Sequence, residues 1–109
     1  VVAGQIPCRQ VHEDDELLAL HDIAPWAPVH FLIIPKAHIA SMMSVGPEHE
    51  RLLGRMMALA PRLAMEQGCN PYPAGGFRLV VNTGTEAGQE VHHLQLHVIG
   101  GPRPWRKGL

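Results

Sequence analysis

Val91-His92-His93-Leu94-Gln95-Leu96-His97-Val98-Ile99-Gly100-Gly101 alternates polar and apolar residues with a period of two, the pattern of a strand buried on one side. Leu94, Leu96 and Val98 make the buried parity, and His93, Gln95 and His97 leave the other face together. His92 has the buried side's parity, so it joins the polar row only through a slip that would invert every neighbour. At about 3.3 Å per residue, His93 and His97 lie roughly 13 Å apart and each is about 6–7 Å from position 95. That separation is too long for one shared metal ion, so no metal site is expected. A small anionic group over Gln95 would reach both imidazoles. The plainer alternative is a row of polar residues on a solvated sheet face.

Outward from this strand, Phe77-Arg78-Leu79-Val80-Val81-Asn82 is a second one, joined to it by the turn-forming stretch Thr83 to Gln89, a seven-residue loop. The two strands are expected to be adjacent and antiparallel. Val29-His30-Phe31-Leu32-Ile33-Ile34 is a strongly apolar, central strand stopped by Pro35. Upstream, Arg9 to Ile23 reads as a hairpin around the acidic turn Glu13-Asp14-Asp15-Glu16, and Pro25 and Pro28 break the chain around Trp26. After Lys36-Ala37-His38 comes a short turn or helical piece. Pro47 then opens a long helix in which Leu52, Met56, Leu59, Ala60 and Leu63 keep helical spacing, Pro61 should kink or divide it, and Gly68 stops it. The expected fold is α+β, an antiparallel sheet of about five strands with one long and one short helix on one face, leaving the other face for a ligand.

A chain of 109 residues, 46% hydrophobic and 17% charged, has the proportions of one domain spanning 1–109. A formal net charge of -1 with dispersed Arg and Lys gives no footprint for a nucleic-acid polymer. Cys8 and Cys69 are too few and too distant in sequence for a disulfide framework, so both are expected as free thiols in a reducing, cytoplasmic setting. No stretch nears the ~18 apolar residues of a membrane span, and no charged-then-apolar leader opens the chain, so no membrane partner is expected.

Four separated motifs agree in order and spacing with one family: Leu20-His21-Asp22-Ile23-Ala24-Pro25, His30-Phe31-Leu32-Ile33-Ile34-Pro35-Lys36-Ala37-His38-Ile39, Val80-Val81-Asn82-Thr83-Gly84, and Gly88-Gln89-Glu90-Val91-His92-His93-Leu94-Gln95-Leu96-His97-Val98. Together, from about Ile6 to Trp105, they resemble the histidine triad (HIT) family and within it the Hint branch of purine nucleoside phosphoramidases. The family motif is His-x-His-x-His-x-x with apolar x, and its middle histidine attacks the α-phosphorus of a nucleotide.

In this sequence the middle position is Gln95. The resemblance implies that His93 orients the central residue and that His97 contacts the phosphate or leaving group. It implies that Asn82, His38 and the backbone amides of Gly88, Gln89, Glu90 and Val91 line the phosphate site. Asp22 matches the acid that holds the ribose hydroxyls, with Leu20 and Ile23 walling the base pocket. Glu90 stands where the branch often has serine. A homodimer with the tail 100–109 near the two-fold interface is also implied, with a purine nucleotide or nucleoside phosphoramidate as ligand and no cofactor.

The chemistry of these residue types fits those roles. A neutral imidazole nitrogen is nucleophilic at cellular pH and lets a displacement at phosphorus proceed in two steps. A carboxamide nitrogen is not nucleophilic, because its lone pair is delocalised into the carbonyl. Two readings therefore stand side by side: a phosphoramidase scaffold impaired by Gln95, and a catalytically silent nucleotide-binding or interaction module.

Overall fold

The computed structural model describes residues 9–105. Cys8 and the end of the tail, 106–109, lie outside the described residues. Five strands form one antiparallel sheet, β1 (Gln10–Glu13), β2 (Leu17–His21), β3 (Val29–Pro35), β4 (Phe77–Val80) and β5 (Leu96–Gly100), in the order β1-β2-β3-β5-β4. The apolar strand β3 is central, as its composition predicts. One long helix, α1 (Glu50–Glu66), supplies the second layer. The short helix expected after His38 is a single 3-10 turn, Met42–Ser44, whose first amides are drawn in by Ser41: its Oγ accepts from the Met43 N–H at 3.1 Å.

Strand alternation divides the sheet into two unlike faces. Leu17, Ala19, Phe31, Ile33, Leu96 and Val98 point to the helix side and pack with Leu52, Met56, Leu59, Ala60 and Leu63 of α1 in one core. The opposite face carries His30, Leu32 and Ile34 of β3 and His97 and Ile99 of β5. The helical stripe read from the sequence is the buried stripe of α1, while its neighbour Met57 is 53% exposed.

Three expectations need correction. Pro47 opens a 3-10 turn, Pro47–His49, and α1 itself begins at Glu50. Pro61 neither divides α1 nor ends it. Pro61 is exposed, and the carbonyl that loses its partner is that of Met57, also exposed, so water can satisfy it. Lastly, β4 and β5 are adjacent and antiparallel but are joined by residues 81–95 rather than a seven-residue loop. His92 therefore lies exposed in a bend before the strand, not on its buried side.

The β1–β2 turn is fastened to α1 by ions. Arg55 bridges Asp14 at 2.8 Å and Glu16 at 2.9 Å, and Arg51 also pairs with Glu16. Arg55, then the His12 imidazole, hold the Asp14 carboxyl far below the usual carboxylate range, and Arg51 followed by Arg55 lowers Glu16 to about 2. No helix among the described residues is long and apolar enough to cross a membrane.

Candidate active site

The site grows from a diagonal pair across β3 and β5. His30 lies opposite Ile99 and Leu32 opposite His97, so the two imidazoles are diagonal neighbours on the face away from α1, within reach of each other. His30 Nε2 and His97 Nδ1 are 2.9 Å apart. The backbone N–H of Trp26 donates to His30 Nδ1 at 3.0 Å. An amide N–H only donates, so Nδ1 of His30 is the acceptor and its single proton sits on Nε2. That proton is donated to His97 Nδ1, which leaves the His97 proton on Nε2.

The end of β2 brings in the carboxylate. The Asp22 N–H donates to the His30 carbonyl at 3.0 Å, while Asp22 Oδ1 accepts from the Ala24 N–H at 2.8 Å and starts the turn leading to Trp26. Asp22 Oδ2 ends 3.4 Å from His30 Nε2. Next to this group is a cavity of about 290 Å³ lined by Arg9, His21, Asp22, Ile23, Pro25, Pro28 and His30. Ile23 borders it and is 81% exposed, whereas Leu20 is buried and is not part of its lining.

The segment before β5 is held by its own bonds. The His93 Nε2–H donates to the Pro35 carbonyl at 2.8 Å, which leaves Nδ1 with its lone pair, and the Leu94 N–H donates to the Ile39 carbonyl at 2.7 Å. The His38 ring meets the His93 ring edge-on, 5.2 Å between centroids. His93, Gln95 and His97 are half-buried while Leu94, Leu96 and Val98 are buried, so the alternation read from the sequence persists from 93 onward, although the ladder itself starts at Leu96. Val80 pairs with His97, where the β4–β5 ladder ends, and Asn82 lies half-buried just beyond it.

The glycine-bearing loop folds around a 3-10 turn, Thr85–Ala87, between Gly84 and Gly88, whose φ values of 81° and 88° fall where a side chain would be strained. Gln89 spans this loop. Its Oε1 accepts from the Gly84 N–H at 2.8 Å, and its Nε2 donates to the carbonyls of Ala40 at 2.8 Å and Val91 at 3.1 Å. Both amide protons are thus used inside the protein, and Gln89 acts as a strut for the loop. Glu90 and Val91 are exposed beyond it.

His30 is buried, hydrogen-bonded through both ring nitrogens and central to this cluster, and Trp26, Arg9 and His21 border it. No sequence signal points to Trp26. The signal for His30 is a histidine inside an otherwise apolar strand. Asp22, His30 and His97 offer donor atoms within 4.8 Å of one another, a different trio from the His93–His97 pair weighed from spacing. In the arrangement observed, the His30 Nε2 that a cation would need carries the proton shared with His97.

Burial holds both His30 and His97 below the ordinary histidine value, with Asp22 opposing the shift in each; burial and then Arg9 lower His21. A depressed histidine favours the neutral form in the folded state, so the unfolded chain takes up protons first as pH falls. Stability is therefore full above the unfolded value of 6.5 and is lost as the pH drops through it. The lowered carboxyls of Asp14 and Glu16 add a second loss, below their unfolded values of 3.8 and 4.5. The urea midpoint should fall between about pH 7.5 and 5.5 and again below about pH 4; a flat profile across the first interval would contradict a neutral His30–His97 pair.

Comparison with known proteins bears on the family and the fold. The HIT domain profile matches residues 3–103. The chain belongs to the HIT family. HitA of Neisseria gonorrhoeae is 43% identical, with 94% of this chain and 92% of that protein covered. The purine nucleoside phosphoramidase of Escherichia coli K12 is 41% identical, with 100% of this chain and 92% of the relative covered. Among solved structures, a HIT family hydrolase from Legionella pneumophila superposes with a TM-score of 0.84 at 43% identity, over 92% of this chain and 87% of that one. The HIT fold thus accounts for the sheet and the long helix, and the relatives named for an activity are hydrolases.

Proposed function

We propose that this HIT protein binds purine nucleotides on the sheet face away from α1, and that its scaffold is built for hydrolysis of nucleoside phosphoramidates through a nucleotidyl intermediate at position 95. The observation that carries this reading is the hydrogen-bonded sequence Trp26, His30, His97 beside the Asp22 carboxylate and its cavity. The resemblance of the motifs and the activity named for the Escherichia coli relative support the substrate class.

In such a reaction a nucleophile at position 95 attacks the α-phosphorus, the P–N bond breaks, and the amine leaves with a proton. His97, with its proton on Nε2, is the group suited to give that proton. Water then attacks phosphorus and releases the nucleoside monophosphate. His93, with Nε2 bound to Pro35, has its Nδ1 lone pair left to accept a hydrogen bond from the central residue. The Gln95 side chain donates hydrogen bonds to a phosphate but forms no phosphorus–nitrogen bond. This form is accordingly a nucleotide binder with its covalent route closed, and Gln95 favours the silent-module reading for the chain as it stands. A two-fold partner belongs to the same proposal: β4 is an open sheet edge, and Met57 and Met65 expose apolar surface on α1.

The experiment is calorimetry with AMP. Asp22→Ala removes the carboxylate that would take the ribose hydroxyls and should weaken binding by about 1–3 kcal/mol, the range for hydrogen bonds to a charged group. Unchanged affinity would remove Asp22 from the ribose site.

A further inference from the structure

Trp26 stands on a short arch between Pro25 and Pro28, and two parts of it touch the histidine pair. Its backbone N–H fixes the acceptor nitrogen of His30. Its indole lies nearly parallel to the His97 imidazole, 13° between planes with centroids 6.3 Å apart, and tilted at 55° to His30 at 5.7 Å. The first geometry is an offset stack. We infer that Trp26 is a positioning residue for His97, its indole holding the imidazole plane and its backbone amide, acting through His30, keeping the His97 proton on Nε2. The inference rests on the reading of His97 as a phosphate-facing group for its functional consequence, but not for its geometry.

Both contacts are needed because they constrain different things. The amide settles which nitrogen of His30 carries the proton, and so which nitrogen of His97 accepts. It does not fix the His97 ring, because the terminal torsion of histidine is broad and roughly two-fold. A half-turn of that ring would replace Nδ1 by a carbon opposite the His30 Nε2–H and leave that proton, at a histidine only 3% exposed, the more distant Asp22 carboxylate 3.4 Å away. A flat indole against the imidazole opposes the intermediate tilt. The arch is stiff for local reasons: two prolines fix φ on either side of the tryptophan, and Asp22 closes the turn below it. Burial of His30 and His97 keeps both rings in the neutral state on which the tautomer argument depends.

The test uses the full chain, labelled with nitrogen-15, at about pH 7.5, where an ordinary histidine is neutral. Long-range proton–nitrogen correlation of the imidazoles distinguishes a protonated from an unprotonated ring nitrogen. His97 should show a protonated Nε2 and a bare Nδ1. In Trp26→Ala, which retains the backbone N–H, both rings should keep their tautomers, while the His97 ring, freed from its stack, should show raised mobility in nitrogen and carbon relaxation. AMP affinity should then fall roughly three- to tenfold, the scale of one aromatic stack. Trp26→Phe restores a flat ring and should return both readouts to within about twofold of the parent. Trp26→Leu keeps apolar bulk without a ring plane and should behave as the alanine variant does. If Leu or Ala leaves the His97 ring mobility and AMP affinity unchanged, Trp26 only fills space and the inference is overturned. A parent chain that does not bind AMP yet shows the expected tautomers and a His97 ring that loosens in Trp26→Ala would defeat the nucleotide reading and leave the positioning role standing.

Discussion

Gln95→His should raise hydrolysis of a fluorogenic adenosine phosphoramidate by several orders of magnitude over the Gln95 form, which should show at most a trace. Loss of a nucleophile closes the covalent route altogether, while the remaining binding and electrostatic groups sustain only a residual rate. The supporting apparatus is already in place: His93 is anchored to Pro35, and His97 receives the His30 proton at 2.9 Å. His92 cannot stand in for the missing group, since it is exposed in the bend ahead of β5 rather than on the polar row. Mass spectrometry should find a nucleotidyl adduct on the histidine form alone. Comparable turnover in both forms, or an adduct on the Gln95 form, would place the nucleophile elsewhere.

The second large effect concerns the core. Phe31 is fully buried on the helix side of the central strand, where it lies across from His21 on β2 and Val98 on β5. Phe31→Ala should cost about 3–5 kcal/mol, the sum of lost transfer energy and an unfilled cavity. Leu32→Ala, one residue on and half-buried on the other face, should cost less. Urea denaturation of both variants checks the pair. Equal losses would mean that the second face is packed as tightly as the first.

Much of the fold is legible in the sequence because its strongest signals are local and periodic. The apolar run of β3, the alternation of β5 and the helical stripe of α1 each follow from spacing alone, and each is found. What is not legible depends on partners far away in the chain. Residues 91–95 have strand-like alternation, yet His93 and Leu94 bond to Pro35 and Ile39 in an irregular crossing, so the ladder waits until Leu96. Pro61 is expected to break α1 because its exposure cannot be read locally. The role of His30 depends on His97, 67 residues later, and no window of sequence contains both. The residues the resemblance assigns to the phosphate site fall on separate segments, of which the loop at Gln89 is tied to the segment after His38 through the Ala40 carbonyl.

The alternation along β5 separates two inheritances that most active sites entangle. Leu94, Leu96 and Val98 answer to the core, and His93, position 95 and His97 answer to the ligand, residue by residue along a single strand. Gln95 is half-buried between buried Leu94 and Leu96 and is not itself one of the core residues. On the proposed reading, one substitution at that position silences the chemistry and leaves the core residues of the strand unchanged. On the same reading, the reverse substitution returns a nucleophile at a position outside the core, so the loss stays reversible for as long as the histidines on either side are kept.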